Sequence, residues 1–426
     1  MKNRRSSHKS LISLTCILSL YLFAPFSNTL LAQNSTTYSL KSHAITFKSD
    51  RATITLDPAL TLLWLSGEGY SGFNNTRGAK FQAEIDRNFT AGGQLLERQS
   101  TLSPFLSNFS RASGRLPGWG RFKDISQDND EGDPLIVDVA KATGFIAWEG
   151  SINTIKGIHF RLSNEAFNFG WGRSPLLLNK DDAPYPSLNL GWKDTKYHFD
   201  FHAVKWIGET RGPIGSTTES LFTQSRAIFI SGGYKTKSWG IASLIGSVRE
   251  SDSTKSLSTF SMSGFSRVRK FSGTWEIVTS SSSFSTDGIS LQLGGKYSLK
   301  KISTGINIIS TKKDLYGLEN EAHWSNAGLP LGIITGGDTK MSSIYFDFKT
   351  PTTTKWIFKV ELGSLISKDY DYDFKWVRSS FSRVISKSWD MFGTISMDYT
   401  LKSLNTTQNP TGHIISVGII HGITNL

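Results

Sequence analysis

The chain has 426 residues, with 47 Lys and Arg against 35 Asp and Glu for a formal charge of +12, 39 glycines and a single cysteine. One thiol excludes a disulfide-stapled scaffold, and a mean hydropathy of −0.23 excludes a bundle of membrane helices. The length fits two or three soluble domains or one large closed sheet.

Residues 1–32 read as a secretory signal peptide: a basic start (Lys2, Arg4, Arg5, Lys9), an apolar run from Leu11 to Phe23, and a looser stretch ending "TLLAQ". The run is shorter than the roughly 20 apolar residues that cross a bilayer. Cleavage is expected after Ala32, although Leu30 is not the small residue an ideal site carries. Cys16 lies inside the run, which argues against a lipoprotein. The leader holds four of the basic residues and no acidic one, so residues 33–426 carry +8 and no thiol.

No later run is long enough for a membrane helix, so a membrane role must come from strands closed into a barrel. "RATITLDPALTLLWL", "GAKFQAEIDRN" and "FTAGGQLLERQ" are strand-like. A helix-period stretch follows near residue 100, where Pro104 argues against a long helix. The region near 99–134 is expected to be a loop or plug.

From about residue 134 the chain alternates repeatedly. "KYHFDFHAVKWI" places Tyr197, Phe199, Phe201 and Ala203 on one face and His198, Asp200 and His202 on the other. Similar stretches of about 9 to 15 residues recur to "GHIISVGIIHGI", matching strands of roughly 9 to 11 residues tilted across a bilayer. The predicted fold is all-β: one transmembrane antiparallel barrel of about 18 strands over 33–426, with no linker. The chain ends "HGITNL", without the terminal aromatic that many such barrels carry.

Candidate chemistry is sparse. "GEGYSG" (Gly67–Gly72) has dinucleotide-loop spacing but no helix after it, so a turn between strands is the better reading. His198, Asp200 and His202 have metal-ligand chemistry, yet alternate positions on one strand spread over about 13 Å, which favours a polar lumen wall. "DISQDNDEGDP" (Asp124–Pro134) is dense in oxygen donors but lacks EF-hand spacing. No G-x-S-x-G is present, so no catalytic residue, cofactor or metal is assigned.

"GRLPGWGRFKD" combines Arg115, Trp119, Arg121 and Lys123, and "FNFGWGRSPLLLNKDDAPYP" places Trp171 beside Arg173. Guanidinium groups pair with carboxylates and an indole face stacks on sugar C–H surfaces, a set suited to an acidic polysaccharide. The alternative is that Trp119 anchors at the membrane interface and the arginines meet lipid head groups. Nucleic acid fits the same chemistry, but an outer surface offers little of it. In the second stretch Gly170 and Gly172 would allow a bend or close backbone approach, with the leucines packed on the barrel wall or a plug.

The order "TRGAKFQAEIDRNFTAGGQLLERQ", "GRLPGWGRFKD", "GFIAWEG" and "FNFGWGRSPLLLNKDDAPYPSLNL" resembles Bacteroidetes outer-membrane proteins of the capsule assembly Wzi family, including those named gliding motility protein RemB. Gly170, Gly172, Arg173, Ser174, Leu176 to Leu178, Asp182, Ala183 and Pro186 match that family's block, while Pro175, Asn179 and Lys180 depart from it. The match covers roughly residues 75 to 195. The resemblance implies a large barrel near 18 strands that holds capsular polysaccharide without catalysis. A channel for small solutes is the alternative, and a barrel hydrolase a third reading. The expected partners are a surface polysaccharide and outer-membrane lipid, with no nucleic acid.

Overall fold

The structure is a computed structural model that describes residues 44–67, 70–126, 134–180, 182–211, 222–250, 256–280, 289–316, 325–326, 329–330, 337–350, 356–368, 372–386, 391–402 and 412–421. The leader, most of the acidic turn after Asp124 and the last five residues lie outside them.

In chain order the strands are β1 (Ile45–Lys48), β2 (Ala52–Gly67), β3 (Tyr70–Ile85), β4 (Phe89–Thr101), β5 (Lys123–Asp124), β6 (Ile136–Ile152), β7 (Ile155–Asn164), β8 (Pro186–Lys193), β9 (Tyr197–Arg211), β10 (Phe222–Lys235) and β11 (Trp239–Glu250). There follow β12 (Ser256–Val268), β13 (Phe271–Ser280), β14 (Ile289–Ser298), β15 (Ile302–Ser310), the small pair β16 (Ser325–Asn326) and β17 (Leu329–Pro330), β18 (Thr339–Lys349), β19 (Trp356–Ser367), β20 (Tyr372–Ser386), β21 (Met391–Lys402) and β22 (Gly412–His421).

Twenty of these strands share one antiparallel sheet. β2 pairs with β3 along its whole length, and its second half, Leu60–Gly67, pairs with β22, so the last strand meets the first and the ring closes. β1 adds to the start of β2 and β5 to β6 as short side pairings, leaving eighteen strands in the ring. The expected all-β barrel of about 18 strands is therefore the observed one. Closure removes the unpaired edges that a hydrocarbon environment would not tolerate.

The burial pattern is inverted relative to a soluble protein. Leu62, Trp64, Leu95, Ile228, Ile245 and Ile344 are among the exposed apolar residues, whereas Thr61, Ser261, Glu276, Ser290 and Gln292 are fully buried. Period-two alternation puts the first set on the lipid face and the second in the lumen. In β9, Tyr197 and Phe199 face outward while His202, Val204 and Trp206 are buried.

Hairpin connections at one end are short, such as Asp194–Lys196, Thr236–Ser238, Arg269–Lys270 and Leu299–Lys301. The opposite end carries the longer connections 102–135, 165–185 and 311–338. In barrels of this kind short turns face the periplasm and long loops the exterior. Gly67 and Tyr70 pair at the ends of β2 and β3, so "GEGYSG" belongs to a hairpin whose residues 68–69 are outside the described ones.

Pro104 starts a helix instead of preventing one: α1 (Pro104–Ser113) has it in the first turn, where no N–H is needed. The Ser103 hydroxyl accepts from the Leu106 N–H at 3.4 Å, and Gly114 closes the helix at φ +65°. The stretch just before it is the end of β4. The connection packs inside the wall, Leu102 and Leu116 meeting Leu135, Val137 and Val139, with Leu106, Trp119 and Phe122 at the margin.

Candidate functional site

The connection between β7 and β8 enters the lumen. Leu176, Leu177 and Leu178 are at most 1% exposed and join Val204, Trp206, Phe229 and Leu244 of the wall in one apolar cluster. A loop in water would not bury three consecutive leucines; here inward wall positions of β9 to β11 are apolar at this level and receive them.

Polar contacts fix the segment. The Leu176 N–H donates to Glu276 Oε2 at 2.9 Å, the Ser261 hydroxyl donates to Glu276 Oε1 at 3.2 Å, and the Tyr316 hydroxyl donates to the Leu176 carbonyl. The Trp171 N–H donates to Ser263 Oγ at 3.3 Å. Tyr185 packs edge-on against Trp206 at 5.9 Å, and its hydroxyl accepts from the Phe167 N–H at 3.0 Å. Burial pushes the Tyr185 hydroxyl well above its ordinary range, the nearby Asp182 carboxylate adding to the effect, so the phenol stays neutral.

The two glycines have separate reasons. Gly170 sits at φ +99°, a conformation that L side chains rarely adopt. A Cβ on Gly172 would come within 2.5 Å of Gln292 Cδ on the wall.

Between this segment and the short turns lies a cavity of about 1010 Å³. Its lining includes Arg173, Lys196, Lys235, Lys237, Arg267 and Lys296 against one carboxylate, Asp347, together with the rings of Trp171, Phe265 and Tyr345. Arg173 pairs with Glu361 at 3.0 Å and lies over the Tyr345 ring at 4.2 Å. Trp171 and Phe265 have ring centroids 5.1 Å apart. Cations gathered around a partly enclosed space raise the local positive potential and favour an anionic occupant. The rings offer flat apolar faces beside those charges.

The six residues singled out in the sequence fall into two groups. Trp171 and Arg173 line this cavity. Arg115, Trp119, Arg121 and Lys123 belong to the connection after α1, nearer the long-loop end. There Arg115 is buried with its guanidinium donating to the Gly114 carbonyl at 2.8 Å. Arg98 and Lys141 of the wall lie over the Trp119 ring at 5.7 and 5.8 Å, and Lys141 Nζ donates to the Gly118 carbonyl at 2.7 Å. Arg121 is half-buried, and Lys123 is exposed, in register with Asp138.

Lys196, Lys235, Lys237, Arg267, Lys296, Phe265 and Tyr345 were not legible as site residues. Most sit in or beside short hairpin turns, where a lysine looks like any solvated turn residue. The faint signal was the recurrence of a cation at the same end of successive hairpins.

His198, Asp200 and His202 share the inward face, and the Asn189 side-chain amide lies 3.1 Å from Asp200 Oδ1 and 3.2 Å from His202 Nε2. Asp200 meets His159 Nε2 at 2.6 Å across Gly191, whereas His202 stacks on Phe229 at 4.5 Å. Among the described residues no group of three His, Cys, Asp or Glu is placed to hold a metal.

The sequence matches no protein-family model and no curated protein sequence. Solved structures do resemble the fold. Wzi of Escherichia coli, an outer-membrane protein involved in group 1 capsule assembly and described as a carbohydrate-binding β-barrel, aligns with TM-score 0.55 at 11% identity over 85% of this chain and 84% of that one. OccK8 (OprE) of Pseudomonas aeruginosa aligns with TM-score 0.51 at 10% identity over 87% and 97%. OpdK of Pseudomonas aeruginosa, solved with vanillate, aligns with TM-score 0.50 at 8% identity over 87% and 98%. At these identities the likeness is one of fold, that of bacterial outer-membrane β-barrels.

Proposed function

We propose that this chain is a noncatalytic outer-membrane barrel that binds an acidic polysaccharide and helps assemble or retain it at the cell surface, with adhesion or gliding as the cellular outcome. The observation that carries the reading is the lumen cavity, where Arg173, Lys237 and Arg267 stand beside Trp171, Phe265 and Tyr345. Guanidinium and ammonium groups pair with the carboxylates of such a polymer, and the rings stack on its sugar faces. The buried leucines of the 165–185 segment hold the site against the wall and occupy part of the lumen, which suits gripping a chain better than conducting solutes. The cavity lies toward the short turns, so its ligand is met from the periplasmic side and the assembly role is favoured over a grip on polymer already outside. The capsule-assembly role in the name of the Escherichia coli barrel supports the same reading, and so does the motif resemblance to the Bacteroidetes Wzi-like and RemB proteins.

The second reading is a channel for small solutes. The vanillate in the OpdK structure favours it, because a small aromatic carboxylate matches a basic, ring-lined cavity.

Binding of the refolded full chain to surface polysaccharide from its own cells, at low and high salt, tests the proposal. Binding should weaken as salt rises and fall about tenfold in Trp171→Ala and Lys237→Ala. Arg115→Ala and Trp119→Ala report separately on the connection after α1. A folded barrel that binds no polysaccharide but conducts in planar bilayers would transfer the assignment to the channel.

A further inference from the structure

The outer wall carries a feature that the lumen site does not use. On β10 the outward positions run Tyr234, Gly232, Ile230, Ile228 and then Arg226 toward the long-loop end. β9 runs Tyr197, Phe199, Phe201, Ala203 and then Lys205. β11 runs Trp239, Ile241, Ser243, Ile245, Ser247 and then Arg249. Each ladder begins with an aromatic at the short-turn end and closes with an exposed cation.

The three aromatics touch, Tyr197 and Tyr234 at 5.0 Å and Tyr234 and Trp239 at 5.0 Å, as a girdle at one membrane interface would. From Tyr234 to Arg226 is about eight residues, roughly 20 Å along the barrel axis at a strand tilt near 40°. That is close to the roughly 25 Å apolar band of an outer-membrane barrel, so the cations stand at its opposite edge.

The cations are also neighbours. Lys205 is the cross-strand partner of Arg226, and Arg226 that of Arg249. Lys205 and Arg226 are like charges at directly opposed positions, an arrangement that destabilises a sheet, and two strand spacings set the row at about 10 Å. A multivalent anion lying along the row removes that repulsion, and two of the three groups are guanidinium forks that match phosphate oxygens. The row faces outward above apolar side chains, so its occupant also needs acyl chains to lie against Ile228 and Ile245, which are 54% and 63% exposed.

We propose that Lys205, Arg226 and Arg249 form a binding site for the phosphate-bearing headgroup of an outer-leaflet lipid, independent of the lumen cavity. The lipid would dock on β9 to β11 with its acyl chains on the apolar ladder.

Native mass spectrometry of the full chain in detergent, titrated with a bisphosphorylated glycolipid and with its phosphate-free counterpart, tests this. The phosphorylated lipid should bind at least tenfold tighter. Lys205→Gln and Arg226→Gln should each weaken it about fivefold, as expected for the loss of one basic group beside an anionic surface, while Lys301→Gln in a short turn should leave it unchanged. Equal binding of the two lipids, or unchanged binding in the Lys205→Gln/Arg226→Gln double variant, would overturn the proposal. Complete displacement by inorganic phosphate at the lipid's concentration would overturn it too, by making the row a free-anion site. If the double variant does not refold, the two single variants decide.

Discussion

The Leu176 backbone N–H and the Glu276 carboxylate, one hundred positions apart in sequence, meet at 2.9 Å inside the barrel and tie the β7–β8 connection to β13. Glu276 is fully buried and also accepts from Ser261, so it serves both the wall and the segment inside it.

Glu276→Ala leaves the Leu176 N–H and the Ser261 hydroxyl buried without this acceptor, at about 1–3 kcal/mol for each unmet group. The expected outcome is a lower unfolding midpoint together with larger single-channel conductance, as the segment loses its anchor. A barrel that unfolds as before and conducts no more than wild type would show that the leucines alone hold the segment.

Gly172→Ala should destabilise the segment through the collision with Gln292, and shortening that neighbour in a Gly172→Ala/Gln292→Ser double variant should restore much of the loss. Gly170→Ala should cost about 1–3 kcal/mol through backbone strain at its positive φ, with no rescue from Gln292→Ser. Thermal unfolding of the four variants separates crowding from strain.

Tyr185 makes the segment sensitive to alkali. Its hydroxyl is held neutral by burial, so its folded pKa lies above the unfolded value of about 10. The contribution is complete below that value and is lost as pH rises above it, because the unfolded chain releases the proton more readily. Tyr185 fluorescence is hidden among other aromatics, so limited proteolysis across pH 9 to 12 is the better readout, the range set by the roughly pH 10 onset. Cleavage within 165–185 should rise at the alkaline end, and Tyr185→Phe should flatten that rise.

Arg173→Ala removes the Glu361 pair and the contact with the Tyr345 ring. The Arg173 side chain is 43% exposed, so stability should change by no more than about 1 kcal/mol. Polysaccharide binding at low salt should fall severalfold, with a smaller fall for Arg173→Lys, which keeps the charge but not the planar fork. Melting curves and binding isotherms on the same preparations check both.

The barrel was legible because each wall strand repeats the same solvent contrast at every second residue, as in Tyr197, Phe199 and Phe201 against His198, Asp200 and His202. β12 was harder to read, since Ser258 faces outward while Thr259, Ser261 and Ser263 face the lumen, so hydroxyls on both faces blur the period. α1 was obscured for a different reason: the helical period near residue 100 overlapped the end of β4, and Pro104 proved to be the helix start.

The sequence by itself determined an all-β membrane barrel of about 18 strands and marked Trp171, Arg173 and the leucine run as unusual, because strand periodicity and residue chemistry are local properties. Tertiary structure alone decided that the leucines lie in the lumen, that Glu276 receives Leu176, and that Lys196, Lys237, Arg267 and Lys296 share one cavity with Trp171. The four cations come from successive hairpins of β8 to β15, and only the curvature of the sheet, with the 165–185 segment folded inside it, gathers them round one space with Trp171.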